Sequence, residues 1–409
     1  MRVLLIGGGG REHALGWKLA QSARVDELIS LPGNPGLAEL GPVVEGISSN
    51  DVGALAAMAR LQDVDLVVVG PEGPLAAGVV DALTHLGIPV FGPTRAAARL
   101  ESSKAFAKDV MERAGVPTAK SETFTDPAPA KVYLGESEGP YVVKADGLAA
   151  GKGVMVTDSR DEAARWVDHC LEGGFGPAGR SVLIEDYLEG PEVSVFAVCT
   201  ERGVTALEPA RDYKRLTDGD RGPNTGGMGA YSPVTDLPAG LIDRTLSDVV
   251  EPTLAQMAED GNRFQGFLYS GLALTAEGPK VLEFNVRLGD PETQAVIPRM
   301  TSDLLDVLEG AKPQWSTRAT VNVVLAADGY PESPVIGDVI KGADRVSGDV
   351  IVFHAGTRRV GRELLVDGGR VLSVVGTGPT VEHARSSAYE AVGSITWPGM
   401  KYRNDIGQS

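Results

Sequence analysis

Residues 281–294 hold the densest group of side chains able to do chemistry. Val281, Leu282, Phe284 and Val286 are the aliphatic and aromatic types that suit a half-buried strand. In such a strand Glu283 and Asn285 stand two positions apart and share a face, while Phe284 goes to the other. Two oxygen donors side by side fit a hard divalent cation such as Mg²⁺ or Mn²⁺, which takes few protein ligands and completes its shell with water and phosphate oxygens. Arg287 continues the face as a planar cation for a carboxylate or phosphate. Asp290, Pro291 and Glu292 follow in a turn that can reach the same centre. A strand with one wet face accounts for any one of these residues alone, so support has to come from elsewhere in the chain.

Handling phosphate requires positive charge and free backbone amides. Tyr141 to Lys144 and Val154 to Val156 read as strands around a glycine-rich turn containing Gly147, Gly151, Lys152 and Gly153. The spacing fails the P-loop pattern, and strands on both sides predict a hairpin able to close over a triphosphate as a lid. Lys144 and Lys152 would neutralise phosphate from strand and loop; a plain flexible hairpin is the alternative. The connection between strands at 181–186 and 193–198 carries Glu185, Tyr187, Leu188 and Glu192, an apolar slot with carboxylates that suits a purine and its ribose, or an ordinary turn. Residues 211–231 show no apolar period. Within them Asn224, Thr225, Gly226, Gly227, Met228 and Gly229 offer amides and little bulk, which suits a very small acid substrate or a disordered insertion.

These groups need a scaffold. A strand from Met1 to Ile6, a turn of four glycines and a helix through Leu15 and Leu19 form an anion site by their amides and dipole. The dinucleotide fingerprint fails, because Glu12 or His13 stands where the third glycine belongs. A tight turn remains open, as does a phosphate or phosphosugar site at Gly8, Gly9, Gly10, Arg11, Glu12 and His13. Further strands at 66–70 and 88–91 alternate with helices and predict a parallel sheet, with the loops after residues 7 and 70 in one crevice. A helix starts near Lys104 and stops at Gly115; another spans Leu241 to Met257 despite Pro252; Gly266 to Thr275 pairs with the 281–286 strand. From about Ser316 a small β-rich unit closes with a helix from Thr380 to Val392.

A chain of 409 residues exceeds what one core usually holds. Its net charge of −17 argues against a nucleic-acid or anionic-membrane surface. Cys170 and Cys199 lack metal-ligand spacing and read as reduced thiols of a cytoplasmic chain, and no apolar run is long enough to span a bilayer.

Taken together, Lys104, Lys144 with its hairpin, the Glu185 to Glu192 connection and Glu283-Phe-Asn285 resemble an ATP-grasp nucleotide site. With the 7–14 turn, the 222–231 loop, the 287–294 turn and the closing Tyr402-Arg-Asn-Asp-Ile-Gly407, the whole chain resembles the phosphoribosylamine:glycine ligase family. The resemblance implies a multidomain α/β and α+β fold: an N-terminal parallel α/β domain (1–102), an ATP-grasp nucleotide clamp (103–315) whose mobile small lobe covers about 121–189, and a small β-rich C-terminal domain (316–409). It also implies that ATP, glycine and 5-phosphoribosylamine give ADP, phosphate and glycinamide ribonucleotide through glycyl phosphate, the second step of purine synthesis, with a monomer expected. Under it Glu283 and Asn285 hold Mg²⁺ or Mn²⁺. Lys104, Lys144 and Lys152 meet the phosphates, Arg287 and the Asn224 loop meet glycine, and residues 7–13 meet the ribose phosphate. Arg287, Asp212 and Lys144 are the catalytic candidates, with Asp212 or Asp290 as acceptor of the amine proton. The family usually has Phe at Leu288, and Gln and His at Arg211 and Tyr213, so no role as base carries over to position 213. Rivals are another carboxylate-amine ligase, a nicotinamide oxidoreductase and a nucleotide sensor without turnover.

Overall fold

The structure is a computed structural model that describes residues 1–149 and 152–408. At its start the strands Arg2–Gly7, Glu27–Pro32, Leu66–Val69 and Val90–Phe91 form one parallel sheet with the first strand between the second and third. Val3, Leu4, Leu5 and Ile6 are all buried, as a strand covered on both faces requires. The short apolar run at 27–32 is too brief to announce itself between helices, and it occupies the sheet edge.

Two antiparallel sheets follow. One runs 121–124, 182–186, 141–145, 154–157; the other runs 203–206, 192–200, 266–275, 278–285. Strands Tyr141–Ala145 and Val154–Thr157 pair directly, as the glycine-rich turn predicts. Val182–Asp186 and Glu192–Thr200 are neighbours in sequence yet belong to different sheets, so residues 187–191 bridge the two walls. The helix Lys104–Ala114 starts on Ser103, whose hydroxyl accepts the Phe106 N–H, and ends on Gly115 at φ +68°. Residues 241–259 are helical throughout, with a wider turn at 246–250 immediately before Pro252 that accommodates the missing N–H.

The last sheet differs from a unit built from 316 onward alone. Ala319–Ala326, Arg370–Gly378 and Val350–His354 are joined at its edge by Gly229–Ser232 and Arg211–Asp212. The stretch with no apolar period is therefore largely paired backbone, including the hairpin Arg215–Thr217 with Arg221–Asn224. Main-chain pairing leaves no period when both side-chain faces are polar or absent. The helix Val381–Val392 packs on this sheet through Ala384, Ala388 and Val392.

Candidate active site

In the strand Gly278–Asn285, Gly271 pairs with Glu283 and Leu272 with Val281, which leaves Leu282 as a bulge. The extra residue brings Val281 into the same buried cluster as Phe284 and Val286, and the Leu282 carbonyl accepts the Lys144 Nζ–H at 3.2 Å. Glu283 and Asn285 keep the shared face that alternation predicts. Glu283 makes no ion pair among the described residues, although its charge is felt by Lys104, Lys144, Asp212 and Arg287. Asn285 Oδ1 accepts from Arg287 Nη2 at 3.1 Å.

Arg287 is gripped from both sides. Its Nε donates to Glu72 at 3.1 Å, Nη2 lies 2.8 Å from Glu101, and Nη1 donates to the Leu288 carbonyl at 3.2 Å. Burial would push both carboxyls up. For Glu72 the Arg287 and Arg11 guanidiniums overcome it and hold the group at about 2, whereas for Glu101 burial wins and the group stands at about 7. Neither carboxylate is evident as an Arg287 partner in sequence. Glu72 had a signal, since it sits in the loop after a parallel strand; Glu101 had none, lying in a short helix with no motif around it.

Facing this strand, a chain of buried charge joins the 141–145 and 182–186 strands to the helix Lys104–Ala114. Lys144, nine-tenths buried, pairs with Glu185, whose second oxygen lies 2.8 Å from Lys108 Nζ. Burial pulls the Lys144 ammonium down, but Glu185 more than offsets it and leaves the group above the ordinary lysine range. Lys104 Nζ donates to the Ala145 and Gly147 carbonyls at 2.9 Å each, tying a helix start to the glycine turn, and its burial lowers its pKa. Lys152 is exposed on the turn, with Gly153 buried behind it; Gly151 lies outside the described residues. Tyr187 is exposed and Leu188 half-buried on the bridge between walls. Glu192 is exposed at the rim and paired with Lys214 at 2.6 Å. Lys108 was within reach of sequence reasoning, one helical turn beyond Lys104 on the same face.

Asp212 lies 3.1 Å from the same Lys214 Nζ, and burial raises its pKa. Glu292, at the start of the short helix Glu292–Val296, is 4% exposed and accepts from Ser194 Oγ at 3.1 Å; burial and then Asp212 push it up to about 7. Asp290 accepts Gln294 Nε2–H at 2.8 Å and faces Arg370 at 3.4 Å. Arg370 also donates to the Asp290 and Gly226 carbonyls. Thr225 Oγ1 donates to the Lys214 carbonyl at 2.8 Å and accepts the Gly227 N–H at 3.0 Å. Gly227, at φ +108°, packs so that a Cβ would lie 2.3 Å from Pro291 Cδ. Thus Gly227 packs on the Asp290–Pro291 turn and Gly226 is tied to it through Arg370, while Asn224 pairs with Arg215 and Thr225 braces the loop from within. Met228 is fully buried, Gly229 begins a strand, and the Met228 carbonyl accepts the Val324 N–H.

The N-terminal turn is largely occupied by its own side chains. Glu12 Oε2 accepts the Gly9 N–H at 2.7 Å and closes the start of the helix Gly10–Leu19, and Gly7 at φ +129° leaves the room this carboxylate needs. Arg11 pairs with Glu12 at 2.6 Å and donates to the Leu288 carbonyl at 3.2 Å. His13 Nδ1 accepts the His354 N–H at 2.8 Å, and burial holds the ring neutral, near 3. Arg11, Glu12 and His13 are buried, while Gly8 and Gly9 are half-buried and Gly10 is buried at the helix start.

The donor set suits a hard cation: an uncompensated carboxylate and an amide oxygen on one face, with lysines beside them for phosphates. Among the described residues no three acidic, His or Cys side chains gather as a metal cluster.

Comparison with known proteins adds an independent line. Three stretches match the phosphoribosylglycinamide synthetase family: its N domain at 1–101, its ATP-grasp (A) domain at 102–293 and its C domain at 320–409. The chain is 48% identical over 415 residues to a phosphoribosylamine–glycine ligase of Rhizobium meliloti (strain 1021), covering 100% of this chain and 98% of that one. A ligase of the same name from Ralstonia nicotianae (strain ATCC BAA-1114 / GMI1000) is 48% identical over 417 residues, with 100% and 99% covered. The crystal structure of the phosphoribosylamine–glycine ligase from Thermotoga maritima superposes with TM-score 0.85 at 35% identity, covering 99% of this chain and 100% of that chain. At 16% identity and TM-score 0.74, the biotin carboxylase domain of Hydrogenobacter thermophilus 2-oxoglutarate carboxylase shares the fold over 98% of this chain and 91% of that one. The chain belongs to the phosphoribosylglycinamide synthetase family, with its ATP-grasp domain between an N and a C domain.

Proposed function

We propose that this chain joins glycine to 5-phosphoribosylamine with conversion of ATP to ADP and phosphate, forming glycinamide ribonucleotide as a step of purine synthesis. The observation that carries the reading is that Lys144 bonds the Leu282 carbonyl and Arg287 bonds Asn285 on either side of Glu283, which makes no ion pair among the described residues, while Lys104 holds the glycine turn. A carboxylate is a poor acylating agent, so glycine oxygen attacks the γ-phosphorus, ADP leaves, and glycyl phosphate forms. The sugar amine then attacks the acyl carbon, releasing phosphate and a proton. Such chemistry needs alignment and neutralised charge more than covalent help from the protein.

In this reading Lys104, Lys144 and Lys152 draw charge from the phosphates, with Gly147, Gly151 and Gly153 giving close amide approach. Glu185 holds Lys144 in place, Tyr187 and Leu188 cover the purine, and Glu192 accepts from the ribose. Glu283 and Asn285 would hold Mg²⁺ or Mn²⁺. When bound, the cation neutralises phosphate oxygens during transfer. Arg287 with Asn224, Thr225, Gly226 and Gly227 orients the glycine carboxylate, and the Asp290–Glu292 turn closes that side. Met228 and Gly229 set the loop's exit. Asp212, Asp290 or Glu292 takes the amine proton. The turn of Gly8, Gly10 and Arg11 receives the ribose phosphate, while Gly9, Glu12 and His13 shape it from inside. Exclusion of water by the 141–157 hairpin protects an acyl phosphate that hydrolyses readily. The division into 1–102, 103–315 with a small lobe near 121–189, and 316–409 follows the same reading, with the 211–232 strands reaching across to the last sheet. No helix of the described residues is long and apolar enough to cross a membrane; a monomeric cytoplasmic chain acting on small molecules, with no nucleic-acid partner, fits.

The test is ADP release by the purified chain. Release that requires both glycine and phosphoribosylamine, and is absent when bicarbonate replaces glycine, is expected. ADP formed with bicarbonate instead would move the reading to a carboxylating ligase.

A further inference from the structure

The segment 401–408 lies outside the proposed nucleotide cleft, yet it grips the polar stretch that carries Asp212, Lys214 and Asn224. The Arg403 side chain is 2% exposed. Its Nε and Nη2 reach separate oxygens of Asp405 at 2.7 Å, and Nη1 donates to the Arg215 carbonyl at 3.1 Å and to Asp220 at 3.3 Å. The guanidinium carbon stands 4.9 Å from the centre of the Tyr213 ring. Asp405 also accepts the Gly219 N–H at 2.9 Å. Asn404 donates twice to Asp218, at 2.7 and 2.9 Å, and the Gly407 N–H donates to the Tyr213 hydroxyl at 3.0 Å.

Burying a guanidinium is costly, and an apolar side chain of similar volume would serve a simple core as well or better. What the planar fork adds is direction: it fixes a carbonyl, two carboxylates and an aromatic face relative to one another. The residues so fixed, 213–220, form the turn between Asp212 and Asn224. None of these contacts involves Lys104, Lys144 or Glu185, which sit on other elements.

We propose that Arg403, oriented by Asp405, is a positioning residue that sets the 213–220 segment and thereby aligns Asp212 and Asn224 for the amino acid and the amine, apart from the lysines and Glu185 that meet the phosphates. The proposal rests on the ligase reading above.

The test uses the full chain with Arg403→Gln and, as the milder change, Asp405→Asn. Each variant is followed by steady-state kinetics, titration with a non-hydrolysable ATP analogue, and amide hydrogen exchange. A rise of about tenfold or more in glycine KM, with ATP-analogue affinity within about twofold of the parent, is expected. Exchange should accelerate across 213–224 and stay unchanged across 141–149. Arg403→Lys, which keeps the charge without the fork, should fall between the parent and Arg403→Gln. Parental glycine KM and exchange in both variants would overturn the proposal, as would equal losses for glycine and nucleotide, which mark general destabilisation. Should Arg403→Gln fail to fold, Asp405→Asn decides by the same criteria. If the parent chain shows no glycine-dependent ADP release, the ligase reading fails, while the exchange comparison still decides whether Arg403 holds the turn.

Discussion

A single carboxylate, Glu101, fixes Arg287 by both side chain and backbone: one oxygen lies 2.8 Å from Arg287 Nη2, and the other accepts the Val286 N–H at 2.8 Å. Arg287, proposed above to hold the amino-acid carboxylate, is thus aimed by a group in the segment that leads into helix Lys104–Ala114. Glu101→Gln keeps the size and loses the paired charge. It should lower kcat/KM for glycine by on the order of tenfold, or about 1.4 kcal/mol, with little change in ATP affinity. Unchanged glycine kinetics would remove Glu101 from any positioning role.

Glu292 predicts a pH dependence of stability. Its carboxyl stands at about 7 in the folded chain against 4.5 ordinarily, because burial and Asp212 disfavour the charged form. Between those values the folded state binds more protons than the unfolded one. The stabilisation is therefore complete below about 4.5 and is lost as pH rises through 7, with a magnitude on the order of 3 kcal/mol. Thermal melts of Glu292→Gln should show a flatter decline from pH 5 to pH 8 than the parent, and parallel curves would contradict the assignment.

His13 acts in the opposite sense. Burial lowers its ring to about 3 from 6.5, so the unfolded chain binds the extra proton between these values. Stability is then present above 6.5 and falls as pH drops toward 3. His13→Gln retains an acceptor for the His354 N–H without titrating, and its melting temperature should fall less between pH 6.5 and pH 4. An identical acid slope would place the effect on His354, which burial holds near 4.

Gly227 is where the 224–229 loop meets the Asp290–Pro291 turn. At φ +108°, with a Cβ position 2.3 Å from Pro291 Cδ, Gly227→Ala combines backbone strain with a clash. A loss of about 2 kcal/mol or more in stability is expected, together with weakened glycine use. Denaturant unfolding measures the first, and a variant as stable as the parent would mean the loop relaxes without cost.

Features set by local chemistry were legible in the chain. The glycines and flanking aliphatics at 141–157 announced a hairpin, Ser103 and Gly115 marked both ends of a helix, and alternation at 283–286 put Glu283 and Asn285 on one face. What could not be read depended on partners far away in sequence. Glu101 and Glu72 are ordinary acids until the fold brings Arg287 between them. Residues 211–232 lack a period because their order comes from backbone pairing, of 229–232 with 320–323, of 211–212 with 230–231 and of 215–217 with 221–224. At the glycine turn 7–10, Glu12 folds back and takes the Gly9 amide, a local closure that the spacing of the glycines does not announce. The Leu282 bulge, which gives Lys144 its carbonyl partner, follows from pairing register and leaves no mark in composition.

The central claim is that Glu283, among the lysines and Arg287, organises phosphoryl transfer to glycine. It is tested most directly by measuring ADP formation by Glu283→Ala with glycine and phosphoribosylamine present, alongside circular dichroism to confirm the fold. Loss of glycine-dependent ADP formation in a folded variant is the predicted result; undiminished turnover would contradict the account.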